Sequence, residues 1–553
     1  MTTATFMRLA GRPSPWGLGV GALALVLALP VLVVVVNLAE PAGEVWTHLA
    51  ETVLADYVIN SLLLMGGVTA GTLSMGVTTA WLVAMCEFPG RRIFQWALLL
   101  PMAMPAYIIA YTYTGLLDVA GPVQTLLRDA FGWSWGDYWF PEVRSLPGAV
   151  AMLSLVLYPY VYLLARAAFL EQSAAALEAG RTLGAGPWRG FFTVALPLAR
   201  PAVITGLSLA LMETLADYGT VQYFGVDTFT TGIFRTWFGL GDATAAAQLA
   251  AVLLGFVFLL ILLERWSRRQ SRYHHGGARR RQVPFRLRGT RGGLAAGACL
   301  APLAFGFLIP ASQLAVWAWR TGPALVDARF LELMRNSLLL AVGAALMVLL
   351  LALIMAYGRR LRPSPLMHAA VNVAGLGYAV PGTVIAIGVM LPFAWLDNTV
   401  DGWARAQLGL STGLLLSGTL FALLFAYAVR FLAVSLQTVE AGLGRIRPSM
   451  DDAARSLGRR PWQVLQEIHA PLLGGTLLTA LLLVFVDVLK ELPATLILRP
   501  FNFNTLAVRT YELATDERLA DASGAALAIV LAGIVPVVLL SRAIARTGER
   551  HAT

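Results

Sequence analysis

Twelve long apolar stretches restrict this chain to a fold built inside a membrane. The hydrocarbon core of a bilayer is about 30 Å thick, so a spanning helix needs about 20 mainly apolar residues. Lipid offers the backbone no hydrogen bonds, which favours helices because each satisfies its own N–H and C=O groups. The stretches lie at 17–37, 58–86, 94–117, 148–169, 202–222, 245–263, 294–318, 336–357, 367–393, 411–435, 474–497 and 524–541. We therefore expect an all-α integral membrane protein with about twelve transmembrane helices.

The composition excludes an ordinary soluble protein. Of the 553 residues, 58% are hydrophobic and only 13% are charged, which departs strongly from soluble domains. The first stretch follows Arg8 and Arg12 and lacks a convincing small-residue cleavage site, so we interpret it as a retained helix rather than a signal peptide. Cys86 and Cys299 lie far apart in or near apolar segments, which argues against a disulfide framework and a thiolate metal site.

The arginines indicate how the chain is oriented. They gather in loops on one side of the predicted spans, and Lys and Arg are characteristically retained on the cytoplasmic side. One side carries Arg8, Arg12, Arg91, Arg92, the arginines from Arg166 to Arg200 and those from Arg265 to Arg291; the other carries Glu40, Glu44, Glu51, Asp56, Asp118, Asp137, Glu142, Asp397 and Asp401. We expect both termini in the cytoplasm. The net charge of +10 does not indicate nucleic-acid binding, because no continuous basic face accompanies it.

The chain repeats itself at an offset of about 275 residues. Asn60 to Leu64 recurs as Asn336 to Leu340, at an offset of 276. At the same offset Pro105 recurs as Pro381, and at an offset of 274 Glu213, Asp217, Thr231 and Arg235 recur as Asp487, Glu491, Thr505 and Arg509. We expect a first six-helix repeat at 1–264, a basic cytoplasmic linker at 265–293 and a second repeat at 294–553. Six spans per copy give both copies the same orientation.

A short motif occurs once in each repeat, on the predicted cytoplasmic side. Its residues are Glu178, Ala179, Gly180, Gly184 and Pro197 in the first copy, and Asp452, Ala453, Ala454, Gly458 and Pro471 in the second. An Ala-rich segment, a Gly and a Pro predict a helix, a tight turn and a second helix. A single copy would suit a plain helical hairpin, but the duplication at equal spacing favours a functional element.

These residues resemble the Glu-Ala-Ala loop of ABC importer permeases, in which a Gly and a Leu-Pro pair follow at fixed distances. Gly180 replaces an Ala in the first copy, while Asp452 and Ala470 replace Glu and Leu in the second. The resemblance implies a MetI-like fold of two parallel six-helix permease repeats in a bacterial inner membrane. It also implies that each loop forms a coupling helix in a groove of a separate ATPase subunit, and that ATP-driven closure of the ATPase dimer switches the permease between two states.

The chain lacks the residues to hydrolyse ATP itself. Lys490 is its only lysine, and it lies in an apolar stretch after Leu489, so there is no Walker A loop. We therefore expect a transport subunit rather than an enzyme. ATP and magnesium are expected on the partner ATPase, and no cofactor is expected on this chain.

Four acidic residues lie within predicted spans, where ionisable groups are costly and therefore suggest function. Glu213 and Asp217 are four residues apart, as are Asp487 and Glu491, so on a continuous helix each pair shares one face. Carboxylate oxygens suit hard cations, which makes the four acids candidates for a substrate pathway. The competing interpretation is structural: Lys490, Arg235 or Arg509 neutralise the acids, which then only hold helices in register.

The segments after the fifth and eleventh spans are similar to those of the fused ferric-iron permeases. These segments are Glu213 to Trp237 and Lys490 to Arg509. The similarity implies ferric iron as cargo and a periplasmic ferric-binding protein as a second partner. Arg235 and Arg509, with the loops near Asp227 and Asn502, become candidates for docking that protein or for gating, although a rim charge is more often simply solvated. No metal site is firmly predicted.

Other functions stay open from the sequence alone. Permeases for thiamine, an organic phosphonate or another small solute share the architecture and the coupling motif. An ion-coupled secondary transporter is an alternative of a different class. A membrane-embedded enzyme is disfavoured because nothing clusters as a nucleophile, base or ligand set; the six histidines are His48, His274, His275, His368, His469 and His551.

Overall fold

A computed structural model describes residues 15–41, 43–172, 187–269, 285–322, 327–361 and 363–550. The helices of the first half are Pro15–Val36, Glu44–Thr52, Leu54–Met85, Arg91–Ala97, Ala106–Leu117, Pro122–Phe131, Leu146–Glu171, Pro187–Gly190, Leu196–Ala216, Gly219–Tyr223, Phe229–Phe234 and Ala243–Arg269. Those of the second half are Thr290–Leu303, Ile309–Thr321, Ala328–Leu361, Pro365–Ala374, Gly382–Leu408, Leu420–Leu443, Pro448–Ser456, Pro461–Val464, Ala470–Lys490, Pro493–Leu498, Leu506–Thr515 and Leu519–Arg550. The all-α class is confirmed.

Short turns of other helical types join several of these helices. The 3-10 turns are Asn37–Ala39, Leu100–Ala103 and Gly375–Ala379. The π turns are Phe191–Ala195, Arg235–Leu240, Ala304–Leu308 and Leu465–His469.

Eleven helices of the described chain are long and apolar enough to cross a membrane, and a bent pair of helices makes a twelfth candidate. We number them in chain order as spans 1 to 12: Trp16–Ala39, Leu54–Met85, the pair Arg91–Ala103 and Ala106–Phe131, Leu146–Leu170, Phe191–Ala216, Ala243–Ser267, Thr290–Thr321, Ala328–Leu361, Gly382–Leu408, Leu420–Leu443, Pro461–Lys490 and Leu519–Val538. The expected number of spans is confirmed, but several bounds were wrong. Span 9 begins at Gly382 rather than near 367, and spans 3, 7 and 8 extend well beyond the apolar stretches.

Proline explains why span 3 is broken. Its two helices meet at 91°, and Pro105 stands in extended conformation immediately before the second of them. Proline disfavours a helical conformation in the preceding residue and cannot donate a backbone hydrogen bond. Pro381, its equivalent in the second repeat, likewise precedes the helix Gly382–Leu408 with nearly the same backbone angles. The repeated proline therefore marks a repeated break.

The repeat is visible in the helix boundaries as well as in the sequence. The π turns Phe191–Ala195 and Leu465–His469 begin and end at an offset of 274. The helices that follow them, Leu196–Ala216 and Ala470–Lys490, also begin and end at that offset. Both repeats therefore use the same local construction for the span that follows the motif.

The chain divides into two compact units, and each unit is built from two segments that are separate in the sequence. The first unit comprises Met1–Glu40 and Arg335–Phe503, and the second comprises Pro41–Met334 and Asn504–Thr553. Span 1 is thus grouped with most of span 8 and with spans 9 to 11, while spans 7 and 12 are grouped with spans 2 to 6. The division into 1–264, 265–293 and 294–553 describes the sequence repeat and stays a prediction.

Close helix packing within the second unit depends on small residues. A Cβ atom at Gly67 would lie 2.7 Å from the methyl groups of Val150, and one at Gly76 would lie 2.7 Å from the Cβ of Val161. Small residues let membrane helices approach closely, which increases their van der Waals contact. Spans 2 and 4 therefore pack backbone against side chain. In the first unit, Gly388 of span 9 instead packs against backbone atoms of Pro30 in span 1.

One short parallel strand pair connects the predicted linker to the second unit. Cys86–Glu87 pairs with Phe285–Arg286, and the backbone N–H of Leu287 donates to the carbonyl of Glu87 at 2.9 Å. The residues 270–284 of the linker lie outside the described part of the chain. Cys86 and Cys299 are both buried and free.

Candidate functional site

The two copies of the motif are described to different extents. Glu178, Ala179, Gly180 and Gly184 lie outside the described residues, so their predicted coupling role stays a prediction. Pro197 is exposed in the first turn of the helix Leu196–Ala216. The second copy is described in full, and the geometry of the motif is therefore taken from it.

The second motif has the predicted order of helix, turn and helix. Asp452, Ala453 and Ala454 lie in the helix Pro448–Ser456. Gly458 follows at a φ of +78°, a left-handed conformation that side chains with a Cβ rarely adopt. The N–H of Arg459 donates to the carbonyl of Ala454 at 3.0 Å and closes the first helix. Pro461 then begins the next helix, where a missing N–H costs nothing.

The outward face of this motif carries an exposed acidic side chain beside exposed apolar side chains. Ala454 is buried, while Asp452 and Ala453 are exposed. Leu457 is 82% exposed and Trp462 is 63% exposed, on either side of the Gly458 turn. Two large apolar side chains exposed so close together are unusual away from lipid and suit a protein interface. We call Asp452, Ala453, Leu457 and Trp462 the motif surface.

The inner face of the motif is held by a charged cluster that the sequence did not reveal. Asp451, next to the predicted Asp452, is only 9% exposed. The Nε of Arg360 in span 8 donates to one of its oxygens at 2.8 Å, and the Nε2 of His469 donates to the other at 2.7 Å. Burial alone would raise the pKa of the Asp451 carboxyl, but the hydrogen bonds and charges of Arg360 and His469 outweigh it and lower that pKa.

Asp217 and Glu491 prove to be helix-capping residues. Span 5 ends at Ala216 and span 11 at Lys490, and the next residue in each case is extended. The oxygens of Asp217 accept the N–H groups of Thr220 and Val221 at 3.0 and 3.1 Å. Those of Glu491 accept the N–H groups three and four residues further on, at 2.9 and 3.0 Å. The expectation that Asp217 and Glu491 share a helical face with Glu213 and Asp487 is therefore wrong, because the helix ends before them.

The four pathway candidates differ in their ionic partners. The Nζ of Lys490 lies 2.8 Å from an oxygen of Asp487, as the structural interpretation expected. Arg430 of span 10, which sequence reasoning missed, lies 3.4 Å from Glu491, and both side chains are nearly buried. By contrast, no ion pair involves Glu213 or Asp217 within the described residues. The acids of the second repeat are therefore paired with cations, whereas no cation among the described residues pairs with those of the first.

The two arginines predicted to dock the binding protein do not pair with the four pathway candidates. Each pairs with a different acid. Arg235 lies 2.6 Å from Asp227 and both are exposed. Arg509 lies 3.6 Å from Glu512 on its own helix and is more buried. The idea that Arg235 or Arg509 neutralises the intramembrane acids is therefore wrong.

The backbone near Asn502 carries a distinctive loop. Asn502 has a φ of +64°, and the neighbouring Phe501 is 96% exposed. Asn is among the few residues other than Gly that tolerate a left-handed conformation. This tip belongs to the loop in which the sequence predicted docking or gating, and that role stays a prediction.

No resident metal centre is evident in the part of the chain that the structure describes. Within it, no group of three or more His, Cys, Asp or Glu side chains is arranged to hold a metal ion.

Sequence reasoning missed Asp451, Arg360, His469 and Arg430 for a common reason. Each acts through a partner that is at least 18 residues away along the chain. The only signal available was the presence of charged residues inside or beside apolar stretches. Such residues are expected to find partners, but the sequence does not say which.

Comparison with known proteins is consistent with this construction. The family described as "Binding-protein-dependent transport system inner membrane component" matches residues 73–272, which include most of the first repeat and the first motif. The Fe(3+)-transport system permease protein FbpB 2 of Haemophilus influenzae is 27% identical over 495 residues, which cover 88% of this chain and 90% of the relative.

Two further relatives differ in how much of the chain they match. The ferric transport system permease protein FbpB of Actinobacillus pleuropneumoniae is 24% identical over 88% of this chain and 71% of its own length. The molybdenum transport system permease protein ModB of Haemophilus influenzae is 30% identical, over 34% of this chain and 83% of its own length. The two FbpB proteins therefore match most of this chain, whereas ModB matches about a third of it.

Proposed function

The chain belongs to the binding-protein-dependent transport system inner membrane components, and from this premise we propose that it carries ferric iron from a periplasmic ferric-binding protein into the cytoplasm. It is a multi-pass membrane permease, a class that works with a periplasmic binding protein and an ATPase. In the proposal, the ATPase is a separate dimer that binds ATP and magnesium, and the permease chain itself binds no cofactor.

The observation that carries the ferric assignment is the extent of the match. A relative described as a ferric-iron permease aligns with 88% of this chain, so it matches both repeats in one polypeptide. The molybdenum permeases reach similar identity but cover 34% to 41% of the chain. The fused arrangement is thus shared with the iron permeases and favours their cargo.

The acids of the first repeat support a cationic cargo. Glu213 and Asp217 have no cation paired with them in the described chain, and carboxylates suit hard cations such as ferric ion. Asp487 and Glu491 are neutralised by Lys490 and Arg430. In this proposal the first pair contacts the passing ion, and the second pair mainly holds its helices together.

The motif surface supports a cytoplasmic partner. A helix that presents an exposed Leu and Trp beside an acidic residue suits insertion into an apolar groove. Two such motifs in one chain suit an ATPase dimer, because each subunit then receives one loop. Closure of the dimer moves both loops together and switches the permease between inward-open and outward-open states.

Molybdate import is the second candidate, because the molybdenum permeases align over 83% to 96% of their own length. The carboxylates of Glu213 and Asp217, which pair with no cation among the described residues, oppose it, since they repel an oxyanion. Arg235, Arg509 and the tip at Phe501 are proposed to meet the binding protein on the outer side, with either cargo.

A cargo panel tests the proposal. The chain is reconstituted in liposomes with its ATPase, and uptake of labelled ferric iron, molybdate and thiamine is measured, each presented by a matching binding protein. We expect ATP-dependent uptake of iron alone. Uptake of molybdate or thiamine without iron would refute the ferric assignment and leave the permease class intact.

A further inference from the structure

The end of span 8 contacts both helices of the second motif. Arg360 binds Asp451 in the first helix of the motif. Three residues earlier, the hydroxyl of Tyr357 donates to the carbonyl of Pro461 in the second helix at 2.6 Å. Arg360 also donates to the carbonyls of Leu443 and Ile446, at 2.5 and 3.0 Å. The last residues of span 8 therefore form hydrogen bonds with the helix before Gly458 and with the helix after it.

Span 11 is attached to the same point. His469, the last residue of the π turn in span 11, is fully buried and donates to Asp451 at 2.7 Å. The ring of Tyr357 packs edge-on against its imidazole, with the centroids 5.6 Å apart. Asp451 thus joins the motif to spans 8 and 11 through one carboxylate.

We propose that Asp451, Arg360 and His469 form a joint that transmits movement of the second motif to spans 8 and 11. The inference rests on the proposed function, because it requires the motif to be moved by an ATPase. A buried charge with matched hydrogen bonds is stable in one arrangement, and removal of one partner leaves the others uncompensated. The joint therefore resists sliding between the motif and the spans.

The first repeat lacks the residues of the joint. The positions equivalent to His469 and Arg360 are Ala195 and Ala84, which are both buried. The position equivalent to Asp451 is Leu177, which lies outside the described residues. Neither alanine nor leucine can form an ionic contact, so the side chains at these three positions cannot reproduce the joint in the first repeat.

The test compares two carboxylates that bind neighbouring arginines at the end of span 8. Asp451→Asn removes the charge of the joint. Glu440→Gln is the matched control, because Glu440 lies outside the motif and pairs with Arg359, next to Arg360, at 3.1 Å. Asp451→Glu keeps the carboxylate and tests for rescue. Each chain is reconstituted with the ATPase and the ferric-binding protein, and iron uptake per ATP hydrolysed is measured.

We expect Asp451→Asn to bind the ATPase but to lower the uptake per ATP about five- to tenfold, which is within the usual range of coupling between two sites. Asp451→Glu should recover part of it, and Glu440→Gln should not change it. Hydrogen exchange of residues 461–469 in the purified chain should be faster in Asp451→Asn only.

The possible failures are distinguishable. Normal uptake per ATP and normal exchange in Asp451→Asn would overturn the joint. If the unmodified chain did not associate with an ATPase, the proposed function would be refuted, and the exchange measurement would still judge whether Asp451 holds the motif. Loss of Asp451→Asn protein from the membrane, with unchanged uptake per ATP in the remaining complexes, would reduce Asp451 to a purely structural residue.

Discussion

At the scale of single residues, two positions require glycine, one for its backbone conformation and one for lack of space. Gly458 was predictable from the sequence, because a Gly between two helical segments marks a turn. Gly382 was not predictable, because its importance comes from another span: a Cβ atom there would clash with the guanidinium of Arg430 and lie 2.8 Å from Glu491. The sequence shows a glycine at both positions but cannot show what surrounds the second.

Gly458→Ala is predicted to weaken the second motif. A side chain at a φ of +78° costs about 1 to 2 kcal/mol in left-handed conformation, although the space around the glycine is open. The variant should bind the ATPase more weakly in a co-purification assay. Gly474→Ala, at an open position in the helix of span 11, is the control and should bind normally. Equal binding by both variants would contradict the need for the left-handed turn.

At the scale of elements, the number of spans was predictable, whereas breaks and caps were not. Hydropathy is a local property, so it indicated twelve spans, but it did not reveal the break in span 3. The end of span 5 is decided by whether Asp217 continues the helix or caps the next one. That choice depends on the fold around the following helix, and the four-residue spacing suggested a longer helix than the one that forms.

Asp217→Ala and Asp217→Asn are predicted to separate capping from charge. Alanine removes the acceptor for two N–H groups, and loss of a helix cap costs about 0.5 to 2 kcal/mol. Asparagine keeps an acceptor but removes the charge. We expect a lower thermal stability for Asp217→Ala than for Asp217→Asn, and reduced iron uptake for both. Normal uptake in Asp217→Asn would show that the carboxylate charge does not serve the ion.

The contribution of Asp451 to stability is predicted to be constant near neutral pH. Its folded-state pKa is lowered from the ordinary value of 3.8, so its stabilisation is complete above that value and disappears as the pH falls through the lower folded-state pKa. The difference in melting temperature between the unmodified chain and Asp451→Asn should be unchanged from about pH 5 to 8 and shrink below about pH 4. A difference that already changes between pH 8 and 6 would contradict the assignment of this stabilisation to the Asp451 carboxylate.

At the scale of the whole molecule, the sequence predicted the repeat but not how its parts are grouped. Equivalent residues lie 274 or 276 positions apart, and this spacing predicted two copies of a six-span unit. The structure groups span 1 with most of span 8 and with spans 9 to 11, and it groups spans 7 and 12 with spans 2 to 6. Periodicity identifies which segments are alike, whereas the grouping depends on packing between segments that are distant along the chain.

The orientation is predicted from the distribution of arginines. A fluorescent protein that matures only in the cytoplasm, fused after Thr553, should fluoresce, and so should one fused before Met1. Alkaline phosphatase, which is active only in the periplasm, should be inactive at both places and active in the loop near Asp137. An active phosphatase at either terminus would contradict the cytoplasmic assignment of the motifs.

The source of energy tests the central claim most directly. Ferric iron uptake is measured in liposomes that contain the chain alone under a proton or sodium gradient, and in liposomes that contain the chain, its ATPase and a loaded ferric-binding protein with ATP. We predict uptake only in the second preparation, and its loss when ATP, the ATPase or the binding protein is omitted. Uptake by the chain alone, driven by the ion gradient, would contradict the account.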